Sequence, residues 1–315
     1  MLRVRKPRPS TPRLAPFAAL ALVALLLSPP AARAQGPASY KSPEDAAAAL
    51  VAAARADSAQ AIVKVLGTAG KKLVYSGDPV ADKNGRAGFV AGYEEAHKIA
   101  AEGETRAVLE LGSDAWPFPI PLVRAASAWH FDTKAGAEEI LARRIGRNEL
   151  NTIEVCRAYV AAQVEYASKD RQGDGLREYA MKFRSDEGKH NGLFWPAAQG
   201  EEESPLGPLV ASARAEGYGP RAKGEKPAPF HGYYFRILTR QGKAAPGGAY
   251  SYVAKGHMIG GFALVAFPAK YRDSGVMTFV INQDGVVYQK DLGPETATLA
   301  RKITSYNPDA SWTKP

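Results

Sequence analysis

Arg143, Arg144 and Arg147 fall within five residues of one another, and Arg143 and Arg147 share a helical face. Planar guanidiniums so grouped suit bidentate binding of a carboxylate or phosphate. The same arginines have Glu138, Glu139 and Glu149 nearby, so ordinary pairing along a helix is the competing reading. Upstream, Trp116-Pro117-Phe118-Pro119-Ile120-Pro121 is held extended by three alternate prolines. With Trp129 and Phe131 it supplies four aromatic rings, enough to line a pocket or to fill the core of a small sheet. His130 stands between two of these rings, where a strand points it opposite to both. It is either a satisfied or solvated histidine or an acid–base group. Trp116, Phe118, His130, Arg143 and Arg147 are therefore the candidate ligand-binding residues.

Asp170-Arg171-Gln172-Gly173-Asp174-Gly175 places oxygen donors at alternate positions with glycine sixth, a pattern that suits a hard cation such as calcium. The bidentate Glu required at position twelve is replaced by Met181, and Glu178 at position nine compensates in part. Asp170, Gln172, Asp174 and Glu178 are the candidate ligands, and an ordinary capped turn is the alternative. Calcium is the cation this loop admits; no other cofactor is expected. The five histidines, His97, His130, His190, His231 and His257, are widely separated and show no local ligand spacing. The chain has no Gly-x-Ser-x-Gly elbow, no His-Glu-x-x-His, no phosphate loop and no Cys-x-x-Cys pair. Gly217 to Ala222 imitates a dinucleotide fingerprint, but it follows a helix and has proline where the next helix should begin. The single cysteine, Cys156, lies in the helical series Leu150, Ile153, Cys156, Val160, Val164 and reads as a buried structural thiol.

The elements that must position these groups divide by period. Helices are predicted from Ser42-Pro43 to Ala56, over 58–66 and over 86–101. Short strands follow at 105–111, 122–123 and 129–131. Residues 135–168 are predicted mostly helical, interrupted at Gly146 with Asn148 as a new cap. Further helices are predicted at 176–183, from Ser204 to Glu216, and at 294–302. Residues 217–229 read as a surface linker. Strands are predicted at 233–238, 261–267, 276–281 and 286–290, the last two joined by an Asn-Gln-Asp-Gly turn. The fold class is α+β, helices packed on antiparallel sheets, with a cone-like domain at 42–134 and a helix-plus-sheet domain at 135–315.

The N-terminus carries Arg3, Arg5, Lys6, Arg8 and Arg13, then an apolar run from Leu14 to Leu27, then Ala32-Arg33-Ala34. That order predicts a secretory signal peptide over 1–34, cleaved after Ala34, and hence a periplasmic or secreted protein with no membrane anchor after cleavage. Six of the 41 basic residues and none of the 32 acidic ones precede Gln35, leaving 35 against 32. Without a dense basic run, nucleic acid is discounted as a partner.

Several stretches carry a resemblance. Asp114 to Pro121, Glu139 to Glu149, His231 to Leu238 and Ser274 to Phe279 together resemble the bacterial family catalogued as domain of unknown function 2950, over residues 42–312. The resemblance implies an exported protein of Gram-negative bacteria and no particular activity. The first half is similar in pattern to the nuclear-transport-factor-2-like cone, in which helices pack on a curved sheet around a pocket. In the second half, Gly173-Asp174-Gly175, Glu178-Tyr179, Phe279 and Asp284-Gly285-Val286 resemble the soluble part of pilin-like proteins, without their apolar N-terminal helix. The leading expectation is a non-enzymatic binder of a small molecule or envelope protein. The alternative is a hydrolase or isomerase using Asp or His in the cone pocket, and a scaffold without a pocket is the third reading.

Overall fold

Proline has no backbone N–H to donate, so it is tolerated where a helix leaves its first donors unpaired. Pro43 and Pro79 both stand there. In the computed structural model, which describes residues 36–220 and 227–315, they open α1 (Pro43–Arg55) and α4 (Pro79–Glu95). The signal-peptide segment and the middle of the linker at 217–229 lie outside the described residues. Between those helices, α2 (Ala59–Leu66) is capped by Ser58 and stopped at Gly67, whose φ of 75° suits glycine. A 3₁₀ turn, Thr68–Gly70, leads into α3 (Lys71–Val74).

The helix predicted over 86–101 is displaced. Asp78 accepts from the N–H groups of Val80 and Ala81, so α4 begins well before Arg86. It ends at Glu95, and β1 (His97–Ala101) pairs antiparallel with β2 (Arg106–Leu111). β3 (Trp116–Pro117), β4 (Leu122–Ala125) and β5 (Ala128–Phe131) complete a five-stranded sheet ordered β1-β2-β4-β5, with β3 also on β2. Leu50, Ile62, Leu66, Ile120, Leu122 and Phe131 form the core between this sheet and the first helices.

α5 (Thr133–Tyr166) is a single helix of 34 residues, about 50 Å long. The predicted break at Gly146 does not occur, and Asn148 is no cap: it is buried in mid-helix and donates to the Ser274 carbonyl at 2.9 Å. The predicted apolar stripe is also revised. Ile153 and Cys156 are buried, but Leu150 and Val164 are 67% and 58% exposed. Their places are taken by Thr152, Tyr159, Gln163 and Tyr166. Gln163 is tolerable there because its amide donates to the Tyr159 hydroxyl and the Ala180 carbonyl and accepts the Ala180 N–H. Burial pushes the Cys156 thiol up to about 12, which removes it as a nucleophile.

Residues 176–183 are not helical; Tyr179 instead donates its N–H to the Met258 carbonyl. After α6 (Gly207–Ala215) the chain is mostly β. β6 (Tyr233–Leu238) is followed by two small ribbons. One joins β7 (Arg240–Gln241) to β8 (Tyr250–Ser251), the other β9 (Val253–Ala254) to β10 (His257–Met258). Then come β11 (Ala263–Pro268), β12 (Met277–Asn282), β13 (Tyr288–Asp291) and α7 (Thr296–Lys302). The order β13-β12-β11-β6 is antiparallel throughout, and all six residues of β11 are buried. α5 lends Ile140 to the first core and Ile153, Cys156 and Tyr159 to the second, and the described residues form one compact unit. The fold is α+β, helices on antiparallel sheets.

Two glycines of α5 make opposite demands. A Cβ on Gly136 would sit 2.2 Å from the Pro119 carbonyl oxygen and 2.6 Å from the Ile120 Cα, so the helix approaches that backbone only through glycine. A Cβ on Gly146 meets nothing within 4 Å. Gly136→Ala is expected to destabilise by about 3 kcal/mol. Gly146→Ala is expected to stabilise by up to about 1 kcal/mol. Urea unfolding of the two variants checks both signs.

Candidate functional site

α4 presents Gly85, Gly88 and Gly92 along one face, and these three positions have no side chain to fill the space beside them. Opposite stands the middle of α5. Between them lies a cavity of about 1400 Å³. Its apolar wall includes Leu50, Ile62, Leu66, Phe89, Phe118 and Ile140. The polar side is built from Asp82 on α4, Arg143, Arg144, Arg147, Asn151 and Glu154 on α5, and Glu216, Tyr218 and His231 from the second half of the chain. The Asn84 side-chain amide donates to the Glu216 carbonyl at 2.8 Å and ties α4 to the residue that follows α6.

One carboxylate fixes these walls together. Asp78 is 1% exposed. One oxygen accepts from Val80 and Ala81, and the other accepts the Tyr218 hydroxyl at 2.9 Å and the Gly232 N–H at 2.8 Å. Tyr218 in turn accepts the His231 N–H. Burial first, and then the Asp78 charge, hold the Tyr218 phenol above its ordinary range. Burial also raises Asp82, against hydrogen bonds from Ser76 and the charges of Arg144 and Arg86.

The three arginines have separate fates. Arg143 donates to Glu139, the pairing anticipated on the helix, and its guanidinium lies 5.3 Å over the Trp116 ring. Arg144 donates to the carbonyls of Lys72 and Leu73, holding α3 on α5, and burial lowers its pKa. Arg147 is exposed and forms no ion pair among the described residues. Glu149 turns away from all three and accepts the N–H groups of Val276 and Met277.

Trp116, Phe118, Arg143 and Arg147 thus meet at one cavity. Phe118 packs between Phe89 at 5.3 Å and Phe131 at 6.3 Å, while Trp116 is 40% exposed at the edge. His130 does not join them: it lies on β5 opposite Val123 and is not part of the cavity lining. Sequence reasoning missed Asp82, Asn151, Glu216 and His231. His231 Nε2 faces Glu216 at 3.4 Å, and its Nδ1 faces the Asn151 amide at 3.2 Å. Only the His231-Gly232 pair, both left-handed at φ 49° and 77°, marks that turn as unusual.

The predicted cation loop divides as well. Asp170 accepts the N–H groups of Gln172, Gly173, Asp174 and Gly175, which makes it a turn cap and holds its pKa low. Gln172 donates to Glu178. Asp174 and Glu178 converge with His257, a residue the local spacing could not supply.

Among the described residues no helix is long and apolar enough to cross a membrane. The fold and site define an α+β protein with a large, arginine-edged cavity between a glycine-lined helix and a long central one. Residues 37–314 match the family described as Protein of unknown function (DUF2950), and the chain belongs to that family. No curated protein and no solved structure matches it.

Asp78→Ala should leave the Gly232 N–H without its partner and remove a helix cap, costing about 3 kcal/mol. Tyr218→Phe should cost about 1 kcal/mol, because the same Asp78 oxygen keeps the Gly232 N–H. Chemical unfolding midpoints check the order of the two.

Proposed function

We propose that the chain is an exported, non-enzymatic protein that binds a small amphipathic molecule in the α4–α5 cavity. The apolar body of the ligand lies against Leu50, Ile62, Phe89 and Phe118, and its anionic group meets Arg143 and Arg147. The observation that carries this reading is the glycine face of α4. Each interior glycine weakens a helix by about 1 kcal/mol relative to alanine. A Cβ on Gly85 or Gly88 meets nothing within 4 Å, so close packing does not require either glycine. What these residues provide is room beside an apolar wall, a combination typical of ligand pockets. The volume exceeds what a drug-sized ligand needs, which favours an extended molecule or a pair of small ones. Export rests on the N-terminal sequence pattern and supports a periplasmic or secreted location; protein recovered outside the cytoplasm should begin at Gln35.

Titration calorimetry with medium-chain fatty acids and the matching alcohols tests the reading. The acids should bind more tightly than the alcohols, and Arg147→Ala should erase most of that difference. Gly88→Leu should abolish binding of both without lowering the unfolding midpoint, since leucine favours the helix and points into open space. Unchanged binding in Gly88→Leu would place the ligand elsewhere.

The second reading, a hydrolase or isomerase, is favoured by the His231–Glu216 pair inside the same cavity. It departs from the expected Asp/His pair of the first half, because both partners come from the second. With Asn151 donating to Nδ1, the lone pair of that nitrogen is taken and the ring proton falls on Nε2, 3.4 Å from Glu216 with no hydrogen bond between them, so neither ring lone pair is free. A general base needs one of them free. The enzyme reading requires turnover of an ester or isomerisable substrate that His231→Ala removes.

A further inference from the structure

We infer that Asp174, Glu178 and His257 form a site for a divalent transition metal of the zinc class. The site is separate from the cavity and does not depend on its occupant.

Three ligand atoms, one from each side chain, lie within 4.8 Å of one another. His257 Nδ1 stands 3.1 Å from Glu178 Oε2 and 3.7 Å from Asp174 Oδ2. Ligand atoms around a tetrahedral zinc are about 3.4 Å apart, so the two separations bracket the required edge. The donors come from two places in the chain. Asp174 lies in the Asp170-capped turn, where its carboxylate also accepts the Leu176 N–H, and Glu178 follows that turn. His257 arrives on a hairpin whose two-residue turn, Lys255-Gly256, has φ of 50° and 90° at its two positions. Such a turn matches the twist of the strands it joins and sets the first residue after it firmly. The Tyr179 N–H bond to the Met258 carbonyl, 2.8 Å, then locks the two segments together beside the donors.

Charge balance points the same way. The Glu178 side chain is only 5% exposed, and among the described residues it forms no ion pair with lysine or arginine. A buried carboxylate needs either a full set of hydrogen-bond donors, as Asp78 has, or a cation, and Glu178 has beside it only the Gln172 amide and the His257 ring. His257 is the only basic group paired with it among the described residues, and Asp174 adds a second negative charge. A metal ion balances both carboxylates and uses the imidazole as a neutral ligand.

The donor set selects the metal class. Calcium takes six to eight oxygens. Asp170 is consumed by four backbone N–H groups, and Gln172 turns its amide nitrogen towards Glu178, so two of the expected oxygen donors are withdrawn. What remains is two carboxylates and an imidazole, a set suited to zinc and its neighbours, with a fourth position left for water.

Isothermal titration of the untagged, chelator-stripped chain with zinc chloride, with and without excess calcium, tests the site. One zinc per chain is expected, undisturbed by calcium, with affinity falling roughly tenfold or more in His257→Ala and in Asp174→Asn. Both side chains are partly exposed, so these variants should retain the wild-type circular dichroism spectrum. Zinc binding that is absent, or of equal affinity in His257→Ala, overturns the assignment. Displacement of zinc by calcium with no dependence on His257 overturns it in favour of an oxygen-only loop.

Discussion

A carboxylate removed from water must find enough donors to replace its hydration, and Asp78 finds four. Two are the first free N–H groups of α4, where the helix dipole also favours a negative charge. The other two, from Tyr218 and Gly232, lie more than 130 residues further along the chain. The geometry on that side is demanding. Gly232 has φ of 77°, and a Cβ there would fall 2.6 Å from the Asn148 amide nitrogen. One carboxylate therefore sets the start of α4, the left-handed turn at 231–232 and the place of Tyr218. Fixed carbonyls extend the tie. Lys270 donates to Tyr75, Arg144 to Lys72 and Leu73, and Thr133 to Leu66. The walls of the cavity are held by these directional bonds as well as by contact across the space they enclose.

The parts of this architecture that rest on local chemistry could be read directly. Ser42-Pro43, Ser58 and Gly67 mark helix ends because caps act within three residues. The strands of the second sheet show in their run of β-branched and aromatic residues, and β11 and β12 were found within two residues of their ends. The misreadings are those in which distant partners decide. Gly146 looked like a break because glycine disfavours a helix, yet thirty-three other residues carry α5 through it. The buried face of α5 escaped a hydrophobic count because Gln163 and Asn148 occupy it, each satisfied by a partner far away in sequence. Of the site, Trp116, Phe118, Arg143 and Arg147 were legible from type and spacing. His231, Glu216 and His257 were not, because isolated residues converge only through the tertiary fold.

The same contrast explains why so large a cavity survives in a chain with enough apolar residues to close it. Protein interiors pack as densely as organic crystals, and each unfilled volume forfeits contacts that would stabilise the fold. α4 is the element that would have to move to recover them. It has no fully buried residue, and Phe89, Val90 and Tyr93 reach the core only in part. Its ends are also fastened, by Asp78 at the start and by the Arg55–Glu94 ion pair near the close. Larger side chains at Gly85 and Gly88 would both strengthen the helix and reduce the void, and neither position is crowded. The sequence thus forgoes stability at two points on one helix face, and both losses bear on the same space. Strain or weakness concentrated around one feature is what function leaves behind when it competes with folding. The cavity is therefore better understood as a maintained feature of this fold than as an imperfection in its packing.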